Sequence, residues 1–351
     1  MDSMLPQMHL LENVNCDELA FRDDIETIPV SMPDDEYSFL HESAVISYHG
    51  TLYASWYNCP SLELKGRTPV RGRRSTDGGR TWSEIEVIID DPEGRIMYCP
   101  PVYGICDDRL YMFVNEMHTG PDHMHALDLF VLEDGVFKML WSRPIPFKLN
   151  TNVCALPNGK LMLPGRIAEM DGLAITPAVL ISDTGKIDAE WRLVYIQPDG
   201  LLPDGSELVF PELSSVIDGK RVLIFCRDDK RHVPLAYLSE DYGEHWSGPY
   251  SHDIPFSGSK RYSGTLSNGR KYVIGNLDNS RSRLAMFLTR PGSDIFDEGF
   301  LLQDGLNAKL GFGQKWHYPV AWEADGTLYV IYTASIEDPR RGCVISRIPV
   351  R

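Results

Sequence analysis

The chain has 351 residues, of which 43% are hydrophobic and 24% charged, with 29 Gly and 24 Pro. That apolar content excludes a disordered chain, and Gly and Pro in no short period exclude a collagen-like one. Fifty acidic against 34 basic residues give a formal charge of −16, so general attraction to nucleic acid or anionic lipid is excluded as the main business of the chain. An acidic ligand would have to be held by a local arginine cluster working against that field.

The N-terminal stretch MDSMLPQMHLLENVNCDELAFRDD has neither a basic leader nor an apolar core, and no apolar run is long enough to span a bilayer. The seven cysteines are odd in number, dispersed, and contain no C-x-x-C pair. These features predict free, mostly buried thiols and a cytoplasmic protein with no membrane partner.

Beyond the first 35 residues the chain is a succession of short β-rich runs. In order they are AVISYHGTLYASWY, RLYMFVNE, LMLPGRI, AVLISDTGK, RVLIFCRDD, PLAYLSEDYG, KYVIGNL, LAMFLTR and TLYVIYTAS. Each has partial alternation and ends in a Gly, Asn or Asp turn, as strands with one covered face do. Tight hairpins are predicted at His49-Gly50, Asn158-Gly159, Asp218-Gly219, Asn268-Gly269 and Asp325-Gly326. A sharper repeat, S-x-D-x-G-x-x-W, occurs at Ser75–Trp82 and Ser239–Trp246, with a degenerate copy from Ser182-Asp183 to Trp191. Its Asp can accept turn N–H groups, its Gly permits positive φ, and its Trp can fill the gap between sheets. Three blades of about 55 residues fit between the two full copies. The expectation is all-β: residues 1–35 pack on or close the ring, and residues 36–351 form a single six-bladed β-propeller. Cys343–Ser346 would close that ring by pairing with the N-terminal region, because closure removes sheet edges.

These octets resemble the Asp-box of the sialidase superfamily, whose members are six-bladed propellers. The stretch from Pro211-Glu212 through Phe225-Cys226-Arg227 to the second box is similar to the sialidase blade that carries a Glu, an Arg and then a box. Trp316-His317-Tyr318-Pro319 resembles the strand that carries the family's nucleophile. The resemblance implies Tyr318 as nucleophile, Glu212 as the carboxylate that polarises it, and Arg227 as one arm of a clamp on the substrate carboxylate. A further arm falls in Asn279–Leu284, where spacing favours Arg283 over Arg281.

Two departures stand out. His41 occupies the place of the family's first arginine, and Glu63 is the nearest carboxylate to the place of its acid/base Asp. Tyrosine suits an anomeric centre that bears a carboxylate, because a charged nucleophile would be repelled. The resemblance thus implies a sialidase-like glycosidase that releases a terminal acidic sugar from a glycan, without a cofactor. With His41 as base and Tyr318 as acid, β-elimination on a uronate glycan is the alternative; a non-catalytic glycan-binding propeller is another. Arg166 ends an apolar strand and is a further candidate anion contact, weighed against a plain strand-end residue. His118, His123 and His125 lie in one loop; His123 and His125 are candidate substrate contacts, and no metal is assigned. The run Arg67, Arg71, Arg73, Arg74 reads as a solvated outer strand.

Overall fold

The computed structural model describes residues 5–118, 124–168 and 175–351. Six sheets follow one another round a ring, antiparallel except where Gln7–Met8 adds a parallel edge strand to the fourth. The first blade holds Phe39–Tyr48, Thr51–Cys59, Val70–Ser75 and Glu86–Ile89; the second Met97–Cys106, Arg109–Met117, Met124–Glu133 and Val136–Arg143. In the third, the inner strand is broken into Phe147–Leu149 and Cys154–Ala155, followed by Leu161–Ile167, Thr176–Ser182 and Arg192–Tyr195. The fourth runs from Leu213–Asp218 to Ser247–His252, and the fifth from Tyr262–Thr265 to Phe296–Asp304.

The sixth blade is completed from the other end of the chain. Trp316–Ala324, Thr327–Glu337 and Arg340–Pro349 are joined by Glu26–Ser31, with Ile28 opposite Ile345 and Ser31 opposite Cys343. The N-terminal strand thus covers the edge that Arg340–Pro349 would otherwise expose, and ties the two ends of the chain together in one blade. Large apolar cores lie between neighbouring sheets, the largest joining the first, fifth and sixth blades around Trp56, Trp316 and Tyr332.

The two octet repeats are hairpin staples. Asp77 accepts the N–H groups of Arg80 and Thr81, each at 3.0 Å, while Ser75 Oγ accepts that of Gly79 at 2.9 Å. In the second, Asp241 accepts the His245 N–H at 2.9 Å and Ser239 Oγ that of Gly243 at 2.8 Å. Gly79 and Gly243 have φ of +82° and +86°, which an L side chain rarely adopts. In the degenerate copy Asp183 pairs with Lys160 and Arg192, and only the tryptophan keeps its place, donating from Nε1 to the Ile187 carbonyl at 2.8 Å. The boxes follow each blade's third strand, so they lie on the face opposite the starts of the inner strands.

The arginine run is no solvated outer strand. Arg71 is 9% exposed and pairs with Asp34, Arg74 pairs with Glu86 and Arg67 with Asp90, each charge being met by a carboxylate from a neighbouring segment. All seven cysteines are free.

Candidate active site

The inner strands begin around the ring axis, on the same face as the ends of the second strands. The side chains gathered there line a cavity of about 480 Å³ that includes His41, Glu63, Arg166, Glu212, Arg227 and Tyr318. Ordinary alternation would not aim all of these at one point. In the first, second and sixth blades the inner strand slips register against its neighbour, between His41 and Ala44, Tyr98 and Pro101, and His317 and Val320. Such a bulge bends the strand and re-aims a side chain. Tyr318 and Glu42 sit at two of these bulges with φ of +52° and +46°. Phe210 and Arg281, also beside the cavity, have φ of +48° and +62°. Left-handed backbone at four non-glycine residues is the strain that packing sustains at functional sites.

Arg227 is the hub. Its Nη1 donates to Glu212 Oε2 at 2.5 Å and to the Tyr318 hydroxyl at 2.9 Å, its Nε donates to the Gly258 carbonyl at 2.7 Å, and its Nη2 bonds Asp229. Local chain geometry supports it: the Glu212 carbonyl accepts the Arg227 N–H at 2.9 Å, so the fourth blade's first two strands present carboxylate and guanidinium together. Glu212 is 4% exposed. Burial pushes its carboxyl up, but the cations Arg227, Lys260 and Arg166 together hold it below its usual range, so it is ionised. Arg166 Nη1 lies 3.9 Å from Glu212 Oε1. Tyr318, 8% exposed, is a neutral phenol, raised first by burial and then by the charge of Glu212.

Of the two arginines in Asn279–Leu284, the structure selects the one that spacing disfavoured. The Arg281 guanidinium stands over the Tyr318 ring, 5.5 Å from its centroid, with Nη1 at 3.0 Å from His317 Nδ1. Arg283 begins a strand and donates to the Cys16 carbonyl at 2.9 Å, away from the cavity. The left-handed turn at Arg281 reverses the direction in which the two side chains leave the backbone, which spacing cannot register.

His41 packs its ring against that of Tyr318, centroids 4.4 Å apart, and its Nδ1 lies 3.1 Å from Thr333 Oγ1. Burial, with the positive charge of Arg341 next, holds the imidazole well below its usual pKa, so it is neutral. Glu63 accepts a bond from the Tyr57 hydroxyl at 3.1 Å. Its carboxyl is raised, by burial first and by the charge of Glu42 second, which favours the protonated acid.

The histidine loop is not part of this wall. His123 lies outside the described residues. His125 is exposed and stacked on His118 instead of lining the cavity, because its neighbour Met124 takes the inward position and packs in the core with Met117 and Cys99. Glu116, His118 and His125 bring their donor atoms within 4.8 Å of one another, a grouping capable of holding a metal ion.

Four residues at the site have no sequence signal. Lys148 and Arg341 line the cavity, Lys260 is buried against Glu42 Oε2 at 2.6 Å, and Phe210 lies beneath Arg166 and Arg227. Arg341 is of particular interest. It starts the sixth blade's third strand, lays its guanidinium over Phe39 at 4.4 Å, and forms no ion pair among the described residues. A guanidinium from the last blade thus stands beside His41, where the first blade lacks an arginine of its own.

A family model described as "BNR repeat-like domain" matches residues 50–330. Among solved structures, a protein of unknown function from Dyadobacter fermentans is similar over 94% of this chain and 100% of its own, at 13% identity and a TM-score of 0.72. Trypanosoma rangeli sialidase, solved in complex with sialic acid, is 14% identical, with a TM-score of 0.67 over 94% of this chain and 60% of that one. An intramolecular trans-sialidase from Ruminococcus gnavus, in complex with oseltamivir carboxylate, is 12% identical, with a TM-score of 0.67 over 90% of this chain and 95% of that one. No curated protein matches the sequence. At these identities the likeness is one of fold.

Proposed function

We propose, for a chain that belongs to the BNR repeat-like family and has a sialidase-like propeller fold, that the cavity cleaves the glycosidic bond of a terminal acidic sugar. One observation carries this reading: a single guanidinium nitrogen of Arg227 touches both the Glu212 carboxylate and the Tyr318 hydroxyl. A buried neutral phenol is a weak nucleophile and needs an ionised carboxylate nearby to draw off its proton. Glu212 is such a group, and Arg227 holds both oxygens in place.

Arg227, Arg281 and Arg341 supply positive charge for the carboxylate of the sugar, and the planar guanidinium matches that group with two parallel donors. As Tyr318 attacks the anomeric carbon, the C–O bond to the leaving group breaks. Glu63, whose carboxyl is raised above the usual range, donates a proton to the departing oxygen from its acid form; water then releases the sugar from tyrosine, with Glu63 taking a proton back. The neutral Tyr318 oxygen avoids the repulsion that a carboxylate nucleophile would meet beside the substrate's own anion.

The test is incubation of purified protein with sialosides and uronic-acid glycosides, read by mass. Release of the free acidic sugar by the native chain and none by Tyr318→Phe supports hydrolysis, and no release from any of them by the native chain counts against it. His41 against the Tyr318 ring favours a second reading, β-elimination with the neutral imidazole as base. An unsaturated uronate among the products, lost in His41→Ala, would mark it.

A further inference from the structure

Outside the cavity, one cluster of side chains has the wrong charge balance for what surrounds it. Glu116 lies near the end of the strand Arg109–Met117 and His118 just beyond it, and their side chains meet. The neighbouring strand Met124–Glu133 brings His125 alongside, helped by a register shift between Glu116 and Met117. Nε2 of His118 is 2.8 Å and Nε2 of His125 is 4.0 Å from the same oxygen, Glu116 Oε1. The two imidazoles lie face to face at 3.9 Å with an interplanar angle of 16°. The donor atoms of all three residues lie within 4.8 Å of one another.

A second carboxylate lies on the same sheet. Asp128, on the same sheet as Glu116, is fully buried, and neither of its oxygens has a hydrogen-bond partner among the described residues. Among the described residues, the ion-pair partners of Glu116 are His118 and His125. The other buried carboxylates among the described residues are each met by a cation, Glu42 by Lys260, Glu212 by Arg227 and Asp228 by Arg231. Burial pushes the Asp128 carboxyl up to about 6, the charge of Glu116 adding to the rise, and a cation on Glu116 would relieve that repulsion.

We propose that Glu116, His118 and His125 form a binding site for a divalent transition-metal ion of the zinc type. Two imidazole nitrogens and one carboxylate oxygen suit such an ion, whereas calcium and magnesium favour oxygen ligands alone. Both histidines are exposed, which leaves a further coordination position open to water. The site lies beside the cavity without entering it. Met117, between two of the ligands, faces the other way and lies 3.9 Å from Lys148 Nζ in the cavity wall, so an ion here would fix the strand end behind that wall.

The experiment is titration of the untagged, full-length protein with Zn²⁺ by calorimetry, and with Co²⁺ followed by its visible absorbance. One ion per chain is expected. His118→Ala and His125→Ala should each weaken uptake at least about tenfold, loss of a ligand costing no less than loss of its supporting shell. His245→Ala, an exposed histidine on the opposite face, should bind as the native chain does. Because both ligating histidines are on the surface, circular dichroism of the variants should be native. Failure of the native chain to take up one equivalent of Zn²⁺, or equal uptake by the two ligand variants, would overturn the site.

Discussion

The two walls of the cavity hold their charge in opposite ways. On the side of the fourth to sixth blades, Glu212, Arg227 and Asp229 are joined by charge-assisted bonds, and Glu212 is held ionised by the cations around it. On the side of the first blade, His41 and Glu63 are pushed by burial toward their neutral forms, His41 downward and Glu63 upward. One wall is therefore a fixed electrostatic frame, while the other can exchange protons. Transition-state charge is best met by a frame that does not reorganise, and proton transfer by groups tuned away from their ordinary values. The contrast assigns binding and nucleophile to one wall and acid/base work to the other.

The largest effect should come from the frame wall. Tyr318→Phe is expected to lower kcat by about 10⁴-fold or more, as loss of a nucleophile does, while leaving the binding of an acidic sugar within a few-fold; calorimetry beside turnover separates the two. On the proton-exchanging wall, Glu63→Gln should cost about 10²–10⁴-fold in kcat. Glu63 works as the acid form, so native activity should fall as pH rises through its elevated pKa. In Glu63→Gln that alkaline limb should disappear from the pH–rate profile, and an unchanged limb would place the proton donor elsewhere.

Binding sharpens the comparison within the frame. Arg281→Ala should weaken an acidic sugar about 10–100-fold, the range for one lost bond to a charged group, with Arg341→Ala in the same direction and Arg283→Ala without effect. Equal losses in Arg281→Ala and Arg283→Ala would undo the assignment. For stability, the native pKa of Glu212 is depressed, so its contribution is complete above the ordinary glutamate value near 4.3 and is lost as pH falls through the lower native value. Native His41 also has a depressed pKa, so the unfolded chain binds its proton first and stability declines as pH falls below about 6.5. Melting temperatures between pH 7 and pH 3 should show the histidine decline first, and His41→Phe should reduce it, since buried His252 and His317 contribute in the same direction. Smallest of all, Asp77→Asn in the first box should lower the melting temperature without altering kcat, because that turn lies on the other face of the ring.

Much of the architecture was legible because its causes are local. The bonds of the two octets join residues within four positions of each other, so Ser75–Trp82 and Ser239–Trp246 announce their hairpins wherever they lie in the chain. Glu212 and Arg227 were legible for a similar reason, since they bracket one hairpin. The degenerate copy at Ser182 misled in part: its tryptophan packs as expected, but its Asp is drawn off by Lys160 and Arg192 from other strands.

What the sequence determined alone is the six-bladed ring, the staples and the pairing of a carboxylate and an arginine on adjacent strands, all matters of short-range pattern. The tertiary structure decided which side chains look inward. Left-handed turns at Tyr318, Glu42 and Arg281 break the two-residue alternation by which strand direction is read, and so select Arg281 over Arg283. Closure of the ring then sets the last strand beside the first blade, and Arg341 arrives where His41 stands. Side-chain direction depends on backbone strain sustained by packing, and neighbours across the seam depend on closure, neither of which is written within a short stretch of residues.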